Sequence, residues 1–193
     1  GAWWLVWLDD ADQAGALAYH DVTDEGQPLS KVFVKTVKAD NASLTVAATH
    51  ELAEMAVDPT INLAAQDQRG VFWAYESADP VEADRFGYMI DNVLVTDFLL
   101  PSWFDYKNSS GPYDYMKYCT DPFQVLPGGY AQYFDPHKGW HQINAANMKQ
   151  ARAVTPSVGS RRERRARQLK GLERSGTRET RDRVRAAFMA SKG

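Results

Sequence analysis

The sequence predicts an α+β domain over residues 1–150 followed by a basic arm over residues 151–193. Three observations predict it. Short runs rich in Val and aromatic residues recur before residue 144, bounded by Gly, Pro, Asp and Asn, which is the pattern of strands. One stretch, residues 43–57, breaks that pattern with Ala, Leu, Glu and Met at helical spacing. Charge and aromatic content then change together near residue 151. Residues 152–193 hold 13 Lys and Arg against 4 Asp and Glu, whereas residues 1–151 hold 9 against 21. Of the 23 aromatic residues, only Phe188 lies in the basic segment, so that segment has little with which to build a core.

The elements follow in order. Residues 3–8 form an apolar run of strand length closed by Asp9-Asp10, and residues 16–22 a second strand. Gly26-Gln27-Pro28 is a turn, and the Val-rich residues 31–37 are a third strand. The helix over 43–57 places Leu44, Ala48, Leu52, Met55 and Ala56 at helical spacing. Ser43 or Asn41 can cap its start, and Pro59 stops it near Asp58. Residues 71–75 are a short strand. Asp79-Pro80-Val81-Glu82 is a helix start, with Asp as cap, Pro in the first turn and Glu at the third position. Asp91-Asn92 suits a tight turn before a strand over 93–100, and residues 107–111 are a polar loop. Residues 124–134 make a hairpin about Pro127-Gly128-Gly129, and residues 140–143 the last strand. Residues 161–190 are a charged surface helix or an unfolded arm.

Composition excludes several classes. No run approaches 18 uncharged apolar residues, so no membrane span is expected, and residues 2–8 are too short and lack the basic flank of a secretory leader. One cysteine, Cys119, rules out an internal disulfide framework and a multi-cysteine zinc finger; it is expected as a small buried apolar residue. Pro127-Gly128-Gly129 is followed by no Lys-Ser/Thr and is not a phosphate loop.

The pattern that carries chemistry is His50-Glu51-Leu52-Ala53-Glu54, HExxE on the predicted helix. His50 and Glu54 are four residues apart and share a face. A metal against that face can take an imidazole nitrogen and a carboxylate oxygen at about 2.0–2.2 Å. Glu51 is placed to take a proton from water, the part its counterpart plays in HExxH sites. A carboxylate in place of the second His makes the metal less acidic and admits harder ions. Third ligands can come from Asp58, four beyond Glu54, or from Glu82 and Asp84 downstream; His20, His137 and His141 are the other imidazoles. The arm residues Arg161, Arg162, Arg164, Arg165, Arg167 and Lys170 suit phosphates, or an acidic face of this chain or of a neighbour. Without interleaved aromatics the arm is not expected to stack bases.

The run THELAEMAVDP, residues 49–59, resembles the HELxExxxDP helix of zincin-like proteins of bacteria and tailed phages. Residues 3–36, 75–91 and 126–135 are similar to phage and prophage proteins of the same kind, so the resemblance spans about residues 3–144 and stops at the arm. It implies a twisted mixed or antiparallel sheet preceding an active-site-type helix, with an antiparallel edge strand lining the cleft. It implies His50 and Glu54 as metal ligands, Glu51 as base, and a downstream E-x-x-D or E-x-D element, mapped onto Glu82-Ala83-Asp84 with Glu82 as third ligand. Zinc is the expected metal, with manganese or calcium as alternatives. The expected function is a metal-dependent hydrolase acting on peptides. The alternative is a head or tail component of a phage virion, with a vestigial or structural metal and an arm that holds other virion proteins or the genome. Both place the protein in a virion or a host cytoplasm.

Overall fold

The computed structural model describes residues 2–13, 16–108, 110–147 and 152–153. The arm from residue 154 onward, with Arg161, Arg162, Arg164, Arg165, Arg167 and Lys170, lies outside the described residues. In chain order the described elements are β1 (Trp4–Leu8), β2 (Ala18–Val22), β3 (Pro28–Phe33), α1 (Val34–Ala39), α2 (Leu44–Val57), β4 (Ala64–Gln66), β5 (Phe72–Ala74), β6 (Tyr88–Ile90), β7 (Val93–Val95), β8 (Tyr130–Asp135), β9 (Gly139–Asn144) and β10 (Arg152–Ala153). The architecture is α+β. A mixed sheet in the order β1-β3-β2 has β1 parallel and β2 antiparallel to the central β3. An antiparallel sheet runs β10-β9-β8-β5-β4, and β6 and β7 form a separate hairpin.

The helix α2 forms as the sequence predicts. Ser43 Oγ accepts from the Val46 amide at 3.3 Å, Asp58 is the C-cap, and Pro59 cannot continue the turn. Of its apolar positions, Ala48 and Met55 are buried. The apolar spacing expects Leu52 and Ala56 inside, yet Leu52 is 47% exposed and Ala56 is exposed. The buried side chains are Val46, Ala48, His50, Glu51, Glu54 and Met55. A helix that turns leucine outward and carboxylates inward is held by polar contacts, because burying unpaired carboxylates is costly. Thr45 Oγ1 donates to the Leu94 carbonyl at 2.6 Å, Thr49 Oγ1 accepts from the Thr96 amide at 3.0 Å, and Ser30 Oγ donates to the Glu51 carbonyl at 3.4 Å. Val32 and Val37 pack with Ala48 in a small apolar cluster.

Three segments depart from expectation. Residues 31–37 split. The strand starts earlier, at Pro28, where it can pair with β2, and at Val34 the chain turns into α1, because the buried positions Phe33 and Val37 are four apart there. The expected helix at Asp79 is a single 3₁₀ turn, Asp79–Val81, followed by another, Asp84–Phe86. The expected hairpin over 124–134 lies later, between β8 and β9, and Pro127-Gly128-Gly129 leads into it rather than turning it. Asp91 and Asn92, both at positive φ, do make the tight β6–β7 turn.

A second core gathers Val71, Trp73, Val81, Leu99, Trp103, Val125, Leu126 and Ile143, with Trp73 and Trp103 edge to face at 5.9 Å. Cys119 is buried, as expected, and burial together with Asp114 pushes its thiol pKa up. Among the described residues no helix is long and apolar enough to cross a membrane.

Candidate metal centre

Three elements converge on one buried cluster of histidines and carboxylates. From α2 come His50, Glu51 and Glu54. Successive positions at one, three and four residues keep them on adjoining faces of the helix. From β2 comes His20. The strand period places Ala18, His20 and Val22 on one side, and His20 is paired with Ser30, whose hydroxyl touches α2. From the segment after β5 come Glu76, Asp79 and Glu82. At the start of the Asp79–Val81 turn, the Ala78 and Asp79 amides donate to Glu54 Oε1 at 3.2 and 3.3 Å.

The distances make this one network. His20 Nδ1 lies 3.1 Å from Glu54 Oε2 and 3.4 Å from Glu51 Oε2, and His20 Nε2 lies 3.6 Å from Glu76 Oε2. His50 Nε2 lies 3.4 Å from Glu54 Oε1 and 3.2 Å from Asp79 Oδ1. Glu54 is 1% exposed and His20 fully buried; Glu82 alone in the cluster is partly open to solvent. Two sets of three donor atoms lie within 4.8 Å of one another: His20, Glu51 and Glu54, and His50, Asp79 and Glu82. Donors about 2.1 Å from a tetrahedral ion stand roughly 3.4 Å apart, so either set closes on a cation with small movements.

Electrostatics describe a place short of positive charge. Burial disfavours the charged form of His20, but Glu76, Glu51 and Glu54 outweigh it and hold its pKa up at about 10. His50 is likewise raised well above the usual imidazole range, against burial, by the Glu54 charge and by Asp79. Glu54 is pulled well below the usual carboxylate range, against burial, by the two imidazoles. Asp79 rises to about 7 through burial and the Glu54 charge. Glu82 rises to about 8 through burial and the charges of Asp79 and Glu54, against the pull of His50. Two imidazoles do not neutralise this many carboxylates, and a buried excess of negative charge is met by protons or by cations.

His50, Glu51 and Glu54 thus lie in one cluster, which Glu82 joins from outside the motif. Asp58 and Asp84 do not join it. Asp58 accepts from the amides of Asn62 and Leu63 at 2.9 and 3.0 Å and closes the turn after α2. Asp84 Oδ2 accepts from the Ser43 amide at 2.8 Å and anchors the start of α2. Both carboxylates serve the backbone instead. His137 lies in the β8–β9 turn, and His141 stacks on Tyr133 at 5.1 Å; neither joins the cluster.

The sequence pattern names His20 only as a further imidazole, and it does not assign Glu76 or Asp79 to the site. The signal for the latter two was present. Glu76-Ser77-Ala78-Asp79 fits the downstream E-x-x-D spacing better than Glu82-Ala83-Asp84 does, but Asp79-Pro80 also reads as a helix start. In the structure the cap residue is Ala78, and the Asp79 side chain is turned to His50. For His20 the only signal is a histidine in an inward slot of a strand. Compared with family models, with curated proteins and with solved structures, the chain matches none.

Proposed function

We propose that the chain is a metal-dependent hydrolase on a zincin-like scaffold, with a peptide as the substrate class. The observation that supports it is the joining of the HExxE helix, through Glu54, to the Asp79 turn in a buried histidine–carboxylate cluster. His50, Asp79 and Glu82 would hold the cation, with Glu54 against His50. One nitrogen and several oxygens suit zinc or manganese. When bound, such an ion supplies Lewis acidity at a substrate carbonyl oxygen.

The remaining work falls to the chain's own groups. Glu82, partly exposed, marks the side from which a substrate reaches the cluster. Glu51, buried beside His50, receives the proton from the attacking water. Glu54 fixes His50 relative to the Asp79 turn by holding the Ala78 and Asp79 amides. The peptide class follows from the resemblance of residues 49–59 to the zincin-like helix.

A second reading, a structural part of a virion, draws on a different surface. Trp4 (56% exposed), Trp7 and Leu8 stand on β1, an edge strand of its sheet, and Trp3 precedes them. Exposed apolar edges are characteristic of assembly surfaces. The two readings are compatible in one protein.

The deciding measurement is metal content by plasma mass spectrometry on wild type, on His50→Ala with Asp79→Asn, and on Glu51→Gln, with hydrolysis followed on a peptide library. The proposal expects bound zinc or manganese in wild type, loss of the ion held by His50, Asp79 and Glu82 in the double variant, and no turnover by Glu51→Gln although those three residues still hold metal. A wild-type protein that takes up neither ion overturns it.

A further inference from the structure

The hydrolase reading uses one set of donors, His50, Asp79 and Glu82, on the solvent side. The cluster contains a second set, in which that reading gives Glu51 and Glu54 other parts and His20 none. His20, Glu51 and Glu54 are all buried, and their donor atoms lie within 4.8 Å of one another. They come from two elements, β2 and α2, so their proximity is not forced by neighbouring positions on one helix.

Glu54 links the two sets. Its Oε2 lies 3.1 Å from His20 Nδ1 and its Oε1 lies 3.4 Å from His50 Nε2. One carboxylate thus directs its two oxygens at two different imidazoles, as a carboxylate bridging a pair of metal ions does. A carboxylate answering a single cation needs only one of them. A separate observation marks the inner position. Glu51 Oε2 is buried and faces His20 Nδ1 at 3.4 Å, the same nitrogen that faces Glu54 Oε2. Two buried carboxylates converging on one nitrogen are costly unless positive charge stands between them, whether the His20 imidazolium or, in place of its proton, a bound cation.

We propose that His20, Glu51 and Glu54 form a second divalent-cation site, inside the first, with Glu54 bridging the two. The site rests on the hydrolase reading, since the outer cation is the one that reading assigns. One nitrogen and two carboxylates give a donor set for zinc or manganese. Occupancy of the inner position also sets the part Glu51 plays. With that position filled Glu51 is a ligand, so its part as base belongs to the protein that carries the outer ion alone.

The test uses the full chain, stripped with chelator, reloaded with Mn²⁺ and desalted. Metal is counted by plasma mass spectrometry, and the low-temperature electron paramagnetic resonance spectrum is recorded. The expected result is two equivalents in wild type with the spectrum of a spin-coupled pair. His20→Gln should retain one equivalent and show the six-line signal of an isolated ion, and Asp79→Asn should do the same by losing the outer ion. Circular dichroism reports whether His20→Gln is folded. If it is not, Glu51→Gln, which replaces one oxygen by an amide, serves as the inner-site variant and should likewise retain one. One equivalent in wild type, unchanged in the inner-site variant, overturns the second site and leaves the hydrolase reading standing. Two equivalents that survive in the inner-site variant overturn it as well. No bound manganese in wild type, and none after reloading with Zn²⁺, removes both.

Discussion

Glu54 shows how one side chain can serve several elements. It takes two backbone amides of the 78–79 turn and stands between His20 and His50. Asp58, one turn further along the helix, is the same kind of group in another role, with both oxygens spent on amides beyond the helix end. The difference is that Asp58 gives each oxygen to an amide, whereas Glu54 gives the amides only Oε1 and keeps Oε2 for His20. Asp97 is a third case, away from the cluster. It is buried and accepts from the Phe98 and Met116 amides, and burial together with the neighbouring Asp114 raises its pKa to about 7. In the unfolded chain an aspartate titrates near 3.9. The folded state therefore holds this proton more tightly, and its contribution to stability is complete below about pH 4 and lost as pH rises through 7. Asp97→Asn cannot lose a proton. Its stability relative to wild type should climb between pH 4 and pH 7, read as the difference in Tm at each pH; a constant difference would contradict the assignment.

At the scale of elements, the cluster depends on a turn that its own residues do not hold alone. The turn Asp79–Val81 is braced from behind by residues 126–129. The Leu126 amide donates to the Pro80 carbonyl at 2.9 Å, and a Cβ placed on Gly129 would come within 2.5 Å of the Pro80 oxygen and 2.7 Å of the Asp79 oxygen. Only glycine permits that approach. Gly129→Ala should destabilise the fold by roughly 1–3 kcal/mol, the usual range for overpacking, and should also weaken metal uptake by displacing Asp79. Urea denaturation and a manganese titration on the same sample check the two effects. A variant with unchanged affinity would show that the turn does not position Asp79. From sequence this Gly-Gly pair is expected to be a hairpin turn, because Pro-Gly-Gly before a strand carries the same local signal whether the chain reverses there or presses against another segment.

For the whole molecule, the buried excess of carboxylates is a cost that cations would offset. A ligand that binds only the folded state stabilises it by about 2.7 kcal/mol at a concentration 100 times its Kd. Zinc or manganese should accordingly raise the Tm of the chelator-stripped protein in a concentration-dependent way, and chelator should reverse the rise. Calcium, which takes six or more oxygen ligands, should raise it less at a site containing histidine. A Tm indifferent to all three ions, measured by differential scanning fluorimetry, would mean that protons alone neutralise the cluster.

The sequence by itself determined the α+β class, the limits of α2, and the placing of His50, Glu51 and Glu54 on adjoining faces of that helix. These follow from local rules: a serine cap and a proline stop set the helix, and the spacing within HExxE sets a shared face. Only the tertiary structure decided which face of α2 is inward. Apolar spacing favours Leu52, whereas the contacts of Thr45, Thr49 and Ser30 turn the carboxylates in. It alone also brought in His20, some thirty residues before the motif, and withdrew Asp58 and Asp84 to backbone amides. The physical reason is the same in each case. Local spacing says which side chains share a face, but the charge and hydrogen-bonding partners that make a buried carboxylate affordable come from segments distant in sequence, and their arrival is a property of the packed fold.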